Sequence, residues 1–335
     1  MTEDQLLDLL RQDQHSFISG NEMSHKLGIS RTSIWKHIEH LRKLGYEIEA
    51  QPHHGYRLVS IPDRLIPEEI RFGLNTRWMG QKIVSYEETA STNDVAAKLA
   101  IQGMPEGTVV FAESQSKGRG RLGRSWVSPK GKSILMSVVF RPKLLPSQAS
   151  QVTLMSAVAV AKAIEKETGL APQIKWPNDV LIEGKKVSGI LTEMQGETDQ
   201  VLFLIVGIGV NVAVPQESLP ENGTSIHLET AFNVQRSAFS TQEREPKTVS
   251  RIQLTQELLR QLEAGYHLLH DGQWEVIHQE WQQRSILTGK HVNVRSMQRQ
   301  IEGTVTGLDP DGSLLIRLDH GLTERVMAGD VVAVR

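Results

Sequence analysis

The chain has 335 residues, 39% of them hydrophobic and 23% charged, with a formal net charge of −2. This composition excludes a disordered or fibrous protein, and the near-neutral balance excludes attachment to nucleic acid by overall charge, so any anion site must be local. The sequence has no cysteine, which excludes disulfides, thiolate metal sites and a cysteine nucleophile.

The N-terminal segment MTEDQLLDLL is acidic and amphipathic, whereas a signal peptide has a basic start and an apolar core. The most apolar run, VLFLIVGIGVNVAV, has 14 residues and is too short to span a bilayer. We therefore expect a cytoplasmic protein with no membrane partner. The chain length predicts two or three domains.

Residues 1–60 predict three helices followed by a β-hairpin. Leu6, Leu7, Leu10 and Phe17 suit one face of a first helix, and a second helix over Asn21 to Leu27 ends at Gly28. Ser30 is a suitable N-cap for a third helix, in which Ile34, Ile38 and Leu41 recur on one side. The segment YEIEAQPHHGYRL alternates as a hairpin does. This order predicts a winged helix-turn-helix domain.

The exposed side of the third helix carries short polar and cationic groups suited to base edges and phosphates. The predicted DNA-binding residues are Ser30, Arg31, Thr32, Ser33, Lys36, Arg42 and Lys43 on or beside this helix, and Arg57 in the wing. A solvated helical face in a structural or protein-binding domain remains an alternative. Residues 1–60 hold seven basic and eight acidic side chains, a net charge of −1, so overall charge does not favour DNA.

Prolines 62 and 67 predict a linker over residues 61–67, followed by a mixed helix and strand domain over 68–285. In that domain KIVSYEE, GTVVFAE, KSILMSVVF and VLFLIVGI predict strands, whereas QVTLMSAVAVAKAIEKETG and RIQLTQELLRQLEAGYHLLH predict helices. The polar segment from ENGTSI to QEREPKTVS predicts irregular surface. Residues 286–335 predict short strands and a DPDG turn, hence a small β-barrel.

The common nucleotide and hydrolase motifs are absent. PKGKS ends like a phosphate-binding P-loop, but Trp126 stands where that motif requires a glycine. GIGVNV follows a predicted strand, yet Val212 occupies the third glycine position of a dinucleotide-binding fingerprint. No zinc-ligand spacing and no GxSxG sequence is present.

The segment GRGRLGRSW, residues 118–126, predicts an anion site. Its three glycines, Gly118, Gly120 and Gly123, allow positive φ angles that turn backbone amides toward a bound anion. Its three arginines supply forked donors for phosphate or carboxylate oxygens, and Trp126 supplies a flat stacking surface. A flexible solvated loop or an RNA-binding tract is the alternative interpretation.

Two further segments have polar groups suited to a ligand. In KWPNDVLIEGKKVSGI, a turn at Glu183-Gly184 sends Lys185 and Lys186 to opposite faces of a hairpin, and Asn178-Asp179 offers oxygens that Mg²⁺ accepts. An ordinary polar hairpin is equally compatible. In STND, the side chains of residues 91–93 either cap a helix or hydrogen-bond a polar ligand head.

Four segments in this order resemble one known family: STND, AESQSKGRGRLGRSW, KWPNDVLIEGKKVSGILTEM and GIGVNV. Together with the two ends of the chain, they make the whole sequence similar to bifunctional biotin–protein ligases that also act as biotin operon repressors. The resemblance implies an α+β fold with an N-terminal winged helix-turn-helix, a central mixed α/β ligase domain of the class II synthetase-like type, and a C-terminal SH3-like β-barrel.

The resemblance also implies a reaction. Biotin and ATP, with Mg²⁺, give biotinyl-5′-AMP, from which biotin passes to a lysine of a biotin carboxyl carrier protein domain. The implied catalytic residues are Lys186 and Arg121, and Asp179 is the implied metal neighbour. The implied biotin-binding residues are Ser91, Thr92, Asn93, Gln115, Gly118, Arg119, Arg121, Lys186, Gly189 and Gly207. The implied nucleotide-binding residues are Arg121, Arg124, Trp126, Asn178, Asp179, Lys186 and Asn211.

The family further implies that the adenylate-bound form dimerises and binds operator DNA. Three alternatives stay open on the sequence alone. The first is a lipoate–protein ligase, which shares the catalytic architecture. The second is a transcription factor that senses a metabolite without turnover. The third is a ligase whose residues 1–60 no longer bind DNA.

Overall fold

The computed structural model describes residues 2–12, 16–197, 199–237, 249–296 and 299–334. The chain divides into two compact units, Met1–Arg64 and Leu65–Arg335. Leu65 and Ile66, in the predicted linker, are buried and belong to the second unit. No helix within the described ranges is long and apolar enough to cross a membrane.

The first unit contains three helices and a hairpin. They are α1 (Thr2–Gln12), α2 (Gly20–Leu27), α3 (Arg31–Lys43), β1 (Glu47–Gln51) and β2 (Gly55–Ser60). The core of this unit includes Leu6, Leu7, Leu10, Ile34, Ile38 and Leu41, as the spacing predicts, and also Met23. Gly28 ends α2 with a φ of 65°, and the Ser30 side chain caps α3. Phe17 lies beyond α1, so its predicted place in that helix is wrong; it packs against the Arg57 guanidinium instead.

The second unit is built on a seven-stranded sheet of order β3-β4-β5-β9-β8-β7-β6. The strands are β3 (Ile83–Tyr86), β4 (Val109–Ala112), β5 (Ser133–Phe140), β6 (Gln173–Lys175), β7 (Asp179–Ile182), β8 (Lys185–Gly196) and β9 (Val201–Asn211). Strands β3 and β4 run parallel, whereas the other neighbouring pairs are antiparallel. The four strand segments predicted from the sequence are all present.

Helices cover both faces of this sheet. They are α4 (Pro67–Arg71), α5 (Thr92–Ile101), α6 (Ala149–Thr168), α7 (Ile226–Ser237), α8 (Arg251–His270) and α9 (Trp274–Arg284). Helix α5 packs on the face that carries Val110, Val139 and Ile205, and the main core lies on the face of Val109 and Val138. Because neighbouring strand residues point to opposite faces, α5 is separated from α6 and α8 by the sheet.

One element of this unit differs from the prediction. Residues 226–237 form α7, so the expectation of irregular surface is wrong there. Thr224 explains part of the difference, because its hydroxyl donates to Glu229 at 2.6 Å and both residues are buried. The remainder of the polar tract, residues 238–248, lies outside the described residues.

The C-terminal segment forms a five-stranded antiparallel sheet of order β13-β12-β11-β10-β14. Its strands are β10 (His291–Ser296), β11 (Arg299–Leu308), β12 (Leu314–Arg317), β13 (Thr323–Val326) and β14 (Asp330–Val334). The predicted DPDG turn joins β11 to β12 and packs against the domain that contains the seven-stranded sheet. There, Gln151 donates to the Pro310 carbonyl at 2.6 Å and Trp176 Nε1 to the Gly312 carbonyl at 3.3 Å.

Candidate active site

A cavity of about 370 Å³ lies on the α5 face of the seven-stranded sheet. It brings together most of the residues predicted to form the site, from four separate segments of the chain. Those that line it are Ser91, Thr92, Asn93, Gln115, Arg119, Arg121, Arg124, Trp126, Asn178, Asp179, Lys186, Gly189 and Gly207. Two predicted residues, Gly118 and Asn211, are not among the lining residues. Asn211 is buried, and its amide donates to the Thr224 carbonyl at 3.1 Å.

Three glycines form the floor of this cavity. Gly189 of β8 pairs with Gly209 of β9, and the next pair on the same face is Leu191 with Gly207. A Cβ on Gly207 would lie 2.2 Å from Asn93 Oδ1, and one on Gly209 would lie 2.5 Å from Trp126 Cε2. The group that lies closest to Gly207 in this structure is therefore the Asn93 side chain. Asn93 over Gly207 and Trp126 over Gly209 thus mark two layers of side chains, one polar and one aromatic. The two layers are about 7 Å apart along β9.

The first layer is a cluster of uncharged polar groups around the start of α5. Gln115 Oε1 accepts from the Thr92 amide at 2.7 Å and from the Thr92 hydroxyl at 3.1 Å. Ser91 occupies the N-cap position of α5, but its side chain makes no capping hydrogen bond. Ser91, Thr92 and Asn93 are each less than 5% exposed. The structure thus does not bear out a purely capping role for this segment.

Two residues that the sequence analysis did not select hold this cluster in place. Ser137 Oγ of β5 lies 2.7 Å from Thr92 Oγ1 and 2.6 Å from Asn93 Oδ1. The Asn93 amide also donates to Glu193 Oε2 at 2.8 Å. A serine inside the apolar strand KSILMSVVF was a signal for Ser137, because a fully buried hydroxyl requires a partner. Nothing local marked Glu193.

The segment GRGRLGRSW forms a small hairpin beside the cavity. The Gly120 amide donates to the Arg124 carbonyl at 2.7 Å, and the Trp126 amide donates to the Gly118 carbonyl at 2.9 Å. Positive φ angles occur at Leu122 (54°) and Gly123 (74°) and not at the other two glycines. The prediction of positive φ angles at Gly118 and Gly120 is therefore wrong.

Gly118 is required for a different reason, which is close packing. A Cβ there would lie 2.3 Å from the Trp126 carbonyl oxygen across the hairpin. A glycine at this position lets the two strands approach, and their closure brings Trp126 over the glycine floor.

The three arginines of this hairpin have separate partners. Arg119 makes a forked pair with Asp94, at 2.7 and 2.9 Å, and also reaches Glu193 at 3.1 Å. The hydrogen bond from Arg119 lowers the pKa of the Asp94 carboxyl below its ordinary value. The same bond raises the pKa of Arg119 further. Arg119 is therefore a fixed cation that neutralises the acidic groups behind the polar cluster.

Arg121 and Arg124 converge on Asp330, the first residue of β14. Arg121 lies 3.8 Å from Asp330 Oδ1, and Arg124 forms an ion pair with Oδ2 of the same carboxylate. Arg121 also donates to Asn178 Oδ1 and to the Gly329 carbonyl, each at 3.2 Å. Burial lowers the pKa of Arg121. Asp330, which is not among the predicted site residues, reaches the cavity from the C-terminal sheet.

Lys186 stands on the opposite wall. Its Nζ lies 2.6 Å from Asp179 Oδ1 and 5.6 Å from the centre of the Trp126 ring. Two hydrogen bonds to one short segment fix its backbone. The Lys186 amide donates to the Asn222 carbonyl, and the Lys186 carbonyl accepts from the Thr224 amide. Lys185 is exposed and faces Phe232, as the alternation of a hairpin predicts. The turn between the strands has positive φ at both Glu183 and Gly184.

Two carboxylates line the cavity, Asp179 and Asp330, and each is paired with a cation. In the part of the chain that the structure describes, no three His, Asp or Glu side chains group as a metal site would require. This donor set fits Mg²⁺ only where substrate phosphates and water supply most of the ligands, which is the usual mode for that ion.

The first unit places the predicted DNA-binding residues unevenly. Arg31, Thr32, Lys36 and Lys43 are exposed on or beside α3, whereas Ser30 is occupied as the N-cap and accepts from the Ser33 amide. Arg42 donates to Glu39 and to the Ile48 carbonyl, and Arg57 donates to Glu49. Arg42 therefore ties α3 to β1, and Arg57 ties the two strands of the hairpin to each other.

Comparison with known proteins assigns all three parts of the chain. Residues 86–211 match the biotin/lipoate A/B protein ligase family, residues 2–57 match an HTH domain, and residues 287–333 match the biotin protein ligase C-terminal domain. The bifunctional ligase/repressor BirA of Bacillus subtilis (strain 168) is 38% identical over 326 residues, covering 97% of both chains.

The chain belongs to the family of bifunctional biotin–protein ligase/repressors. A second relative, the biotin–[acetyl-CoA-carboxylase] ligase of Mycobacterium tuberculosis, is 30% identical over 283 residues, which is 82% of this chain and 95% of that protein. The biotin protein ligase of Aquifex aeolicus, solved with biotin and ATP, is 26% identical with a TM-score of 0.60, covering 76% of this chain and 99% of that one. The resemblance inferred from the sequence motifs is confirmed. This ligase/repressor has an N-terminal HTH domain, a central domain with the biotin ligase fold and a C-terminal β-sheet domain.

Proposed function

We propose that the cavity joins biotin to ATP as biotinyl-5′-AMP and then passes biotin to a lysine of a carboxyl carrier protein domain. The observation that carries this proposal is the two-layer cavity over Gly189, Gly207 and Gly209. One layer is neutral and polar, which suits the uncharged ureido head of biotin. The other holds Lys186, Arg121 and Trp126, which suit a carboxylate, a phosphate and a nucleobase.

The first step brings two anions together, so their repulsion must be offset by fixed cations. A biotin carboxylate oxygen attacks the α-phosphorus of ATP, an acyl-phosphate bond forms, and pyrophosphate leaves. Lys186 gives up its ion pair with Asp179 and bridges the biotin carboxylate and the α-phosphate instead. Arg121 binds the same phosphate from the hairpin side. Both cations stabilise charge that grows in the transition state.

The remaining residues have positioning roles in this proposal. Ser91, Thr92, Asn93 and Gln115 hydrogen-bond the ureido group, Arg119 fixes the wall behind them, and Gly118 keeps the hairpin closed. Trp126, Arg124 and Asn178 hold the nucleotide, whereas Asn211 acts indirectly, because its amide donates to the Thr224 carbonyl and the Thr224 amide donates to the Lys186 carbonyl. Asp179 would hold Mg²⁺ together with substrate phosphates, and the ion would neutralise negative charge on the pyrophosphate leaving group.

In the second step the acceptor lysine amine attacks the acyl carbon of the adenylate. An amide bond forms, AMP leaves with the bonding electron pair, and the nitrogen gives up its proton. The intermediate is a reactive mixed anhydride, so closure of residues 115–126 over it serves to exclude water until the carrier arrives.

The proposal extends to regulation and architecture. The adenylate-bound protein dimerises and places two winged helix domains on a two-fold operator, thereby repressing biotin biosynthesis or transport genes. Ordering of the glycine–arginine hairpin links ligand occupancy to the dimer surface as a difference in affinity between states. The central domain is of the class II synthetase-like type, and the C-terminal sheet closes as an SH3-like barrel.

The decisive experiment is transfer of radiolabelled biotin to a purified carrier domain with ATP and Mg²⁺, run in parallel with labelled lipoate. We expect the carrier domain to be labelled by biotin and not by lipoate. Labelling with lipoate instead would identify a lipoate ligase, and biotin binding without transfer would identify a metabolite sensor. Sedimentation with and without biotin plus ATP tests the regulatory part, which fails if self-association does not change.

A further inference from the structure

The first unit exposes a tryptophan on the outer side of α3. Trp35 is 52% exposed, whereas its neighbour Ile34 is fully buried. It lies one helical turn after Arg31, so the two side chains share a face of the helix. Burial of the apolar surface of an indole is favourable. A partner that covers Trp35 therefore gains binding free energy.

Trp35 borders a hollow between α3 and the hairpin. The hollow has a volume of about 780 Å³ and is lined by Arg31, Thr32 and Trp35 from the helix, and by Gln51, His53 and Tyr56 from the hairpin, among others. Its walls thus combine one flat apolar ring with polar groups and a cation. All of these residues belong to one compact unit.

Several cations of α3 have no carboxylate partner. Among the described residues, Arg31, Lys36 and Lys43 of α3 form no ion pair, whereas Lys26, Arg42 and Arg57 of the same unit are each bonded to a glutamate. The unpaired positive charge of the unit is therefore concentrated on the exposed side of α3. A polyanion is the partner that this charge distribution complements.

We propose that Trp35 contacts thymine methyl groups in the major groove of duplex DNA, a specificity role that rests on the proposed repressor function. Residues near the start of the second helix of a helix-turn-helix reach base edges. The thymine C5-methyl is the apolar group that the major groove presents, and an indole face is the matching surface. Arg31 and Thr32 hydrogen-bond adjacent bases, and Lys36 binds phosphate.

The test uses the full-length protein with biotin and ATP. Its preferred duplex is first selected from a random-sequence library, and that duplex is then remade with each thymidine replaced in turn by deoxyuridine, which lacks the methyl group. We expect one position in each half-site at which the replacement weakens binding about fourfold, the value of one buried methyl group. Trp35→Ala binds more weakly and no longer distinguishes the two duplexes.

Lys36→Ala is the matched control, since Lys36 lies one residue away and is also exposed. It lowers affinity for both duplexes alike and reduces the salt slope by about one, as loss of a phosphate contact does. Circular dichroism of Trp35→Ala confirms that the fold is retained.

Equal affinity of Trp35→Ala and the parent protein, or no deoxyuridine effect at any position, overturns the inference while leaving the repressor function intact. Recovery of no duplex at all overturns both. If Trp35→Ala abolishes self-association measured without DNA, the ring belongs to an interface between two copies of the chain and the inference is also overturned.

Discussion

The Lys186 ammonium lies 2.6 Å from the Asp179 carboxylate, and the same nitrogen faces the Trp126 ring at 5.6 Å. One cation therefore lies beside both the proposed metal neighbour and the proposed nucleotide surface. Its backbone is fixed by the segment Asn222–Thr224, which anchors the base of the side chain. This arrangement makes Lys186 the group best placed to bridge two anionic substrates.

Removal of that cation should affect the first step. Lys186→Ala should slow adenylate formation by roughly 10²–10³, the effect of losing one transition-state donor. Pyrophosphate release in the presence of biotin and ATP measures it. Lys185→Ala is the control, because Lys185 is exposed and faces Phe232 away from the cavity. An equal loss in both variants would mean that overall charge, and not the position of Lys186, drives the step.

The two glycines of β9 should separate the two substrates. Gly207→Ala displaces Asn93, which is held by Ser137 and Glu193 and cannot easily give way, so the KM for biotin should rise tenfold or more, that is by at least about 1.4 kcal/mol. Gly209→Ala displaces the Trp126 ring, so the KM for ATP should rise instead. Steady-state kinetics with each substrate varied measures both. Parallel changes in the two constants would contradict the two-layer description of the cavity.

Local signals in the sequence were sufficient for most elements. Helix α6 has a long apolar pattern closed by Gly169 in the left-handed conformation, and the Glu183-Gly184 turn has the two positive φ angles that its residues favour. The motif residues could be gathered because each lies on or beside such an element. The order of motifs along the chain was enough to indicate the family.

The features of the site and the fold that the sequence did not predict depend on contacts that their residues make with other parts of the chain. Asp330 reaches the cavity only because the C-terminal sheet docks on α6 and Trp176 through its DPDG turn. Helix α7 buries Glu229 against Thr224, so its polar residues conceal the periodicity that identifies a helix. The function of Gly118 was also inaccessible, since its close contact is with the carbonyl of a residue across the hairpin.

Retention of the adenylate should depend on Arg121. Arg121→Ala should release free biotinyl-5′-AMP, because the phosphate loses its partly buried cation, and proteins other than the carrier should then be labelled. Blotting for biotin in a mixture of carrier and serum albumin measures this. Asp330→Asn leaves Arg121 in place and removes its carboxylate partner, so it should loosen the hairpin and give weaker leakage. If Arg121→Ala labels only the carrier, this residue does not cover the intermediate.

The Asp94–Arg119 pair should give a defined pH dependence. Arg119 lowers the folded-state pKa of Asp94, so the pair stabilises the protein above the ordinary carboxyl pKa of about 3.9 and this contribution disappears as pH falls through the lower folded-state value. The thermal-midpoint difference between the parent and Asp94→Asn should therefore be constant from about pH 5 to 7 and shrink below about pH 4. A difference that grows with acid would mean that the folded-state pKa is raised.

Loss of the buried pair of Arg251 and Glu113 should lower the free energy of unfolding of the second unit substantially. Their side chains are 2% and 8% exposed and 2.7 Å apart, and Glu113 also accepts from the Leu65 amide at 2.9 Å. Arg251→Leu leaves this carboxylate buried without its cation, so the free energy of unfolding should fall by about 3–5 kcal/mol. Urea unfolding followed by tryptophan fluorescence reports on this unit, because five of the six tryptophans lie after residue 64.

The control for this prediction is an exposed pair in the same unit. Lys130 and Glu87 are also 2.7 Å apart, but their side chains are 61% and 49% exposed, so solvent screens their attraction. Lys130→Ala should therefore cost less than about 1 kcal/mol. Because the two distances are equal, the ratio of the two losses isolates the effect of burial. Losses of similar size would show that the Arg251 charge is not needed to stabilise Glu113 in the folded protein.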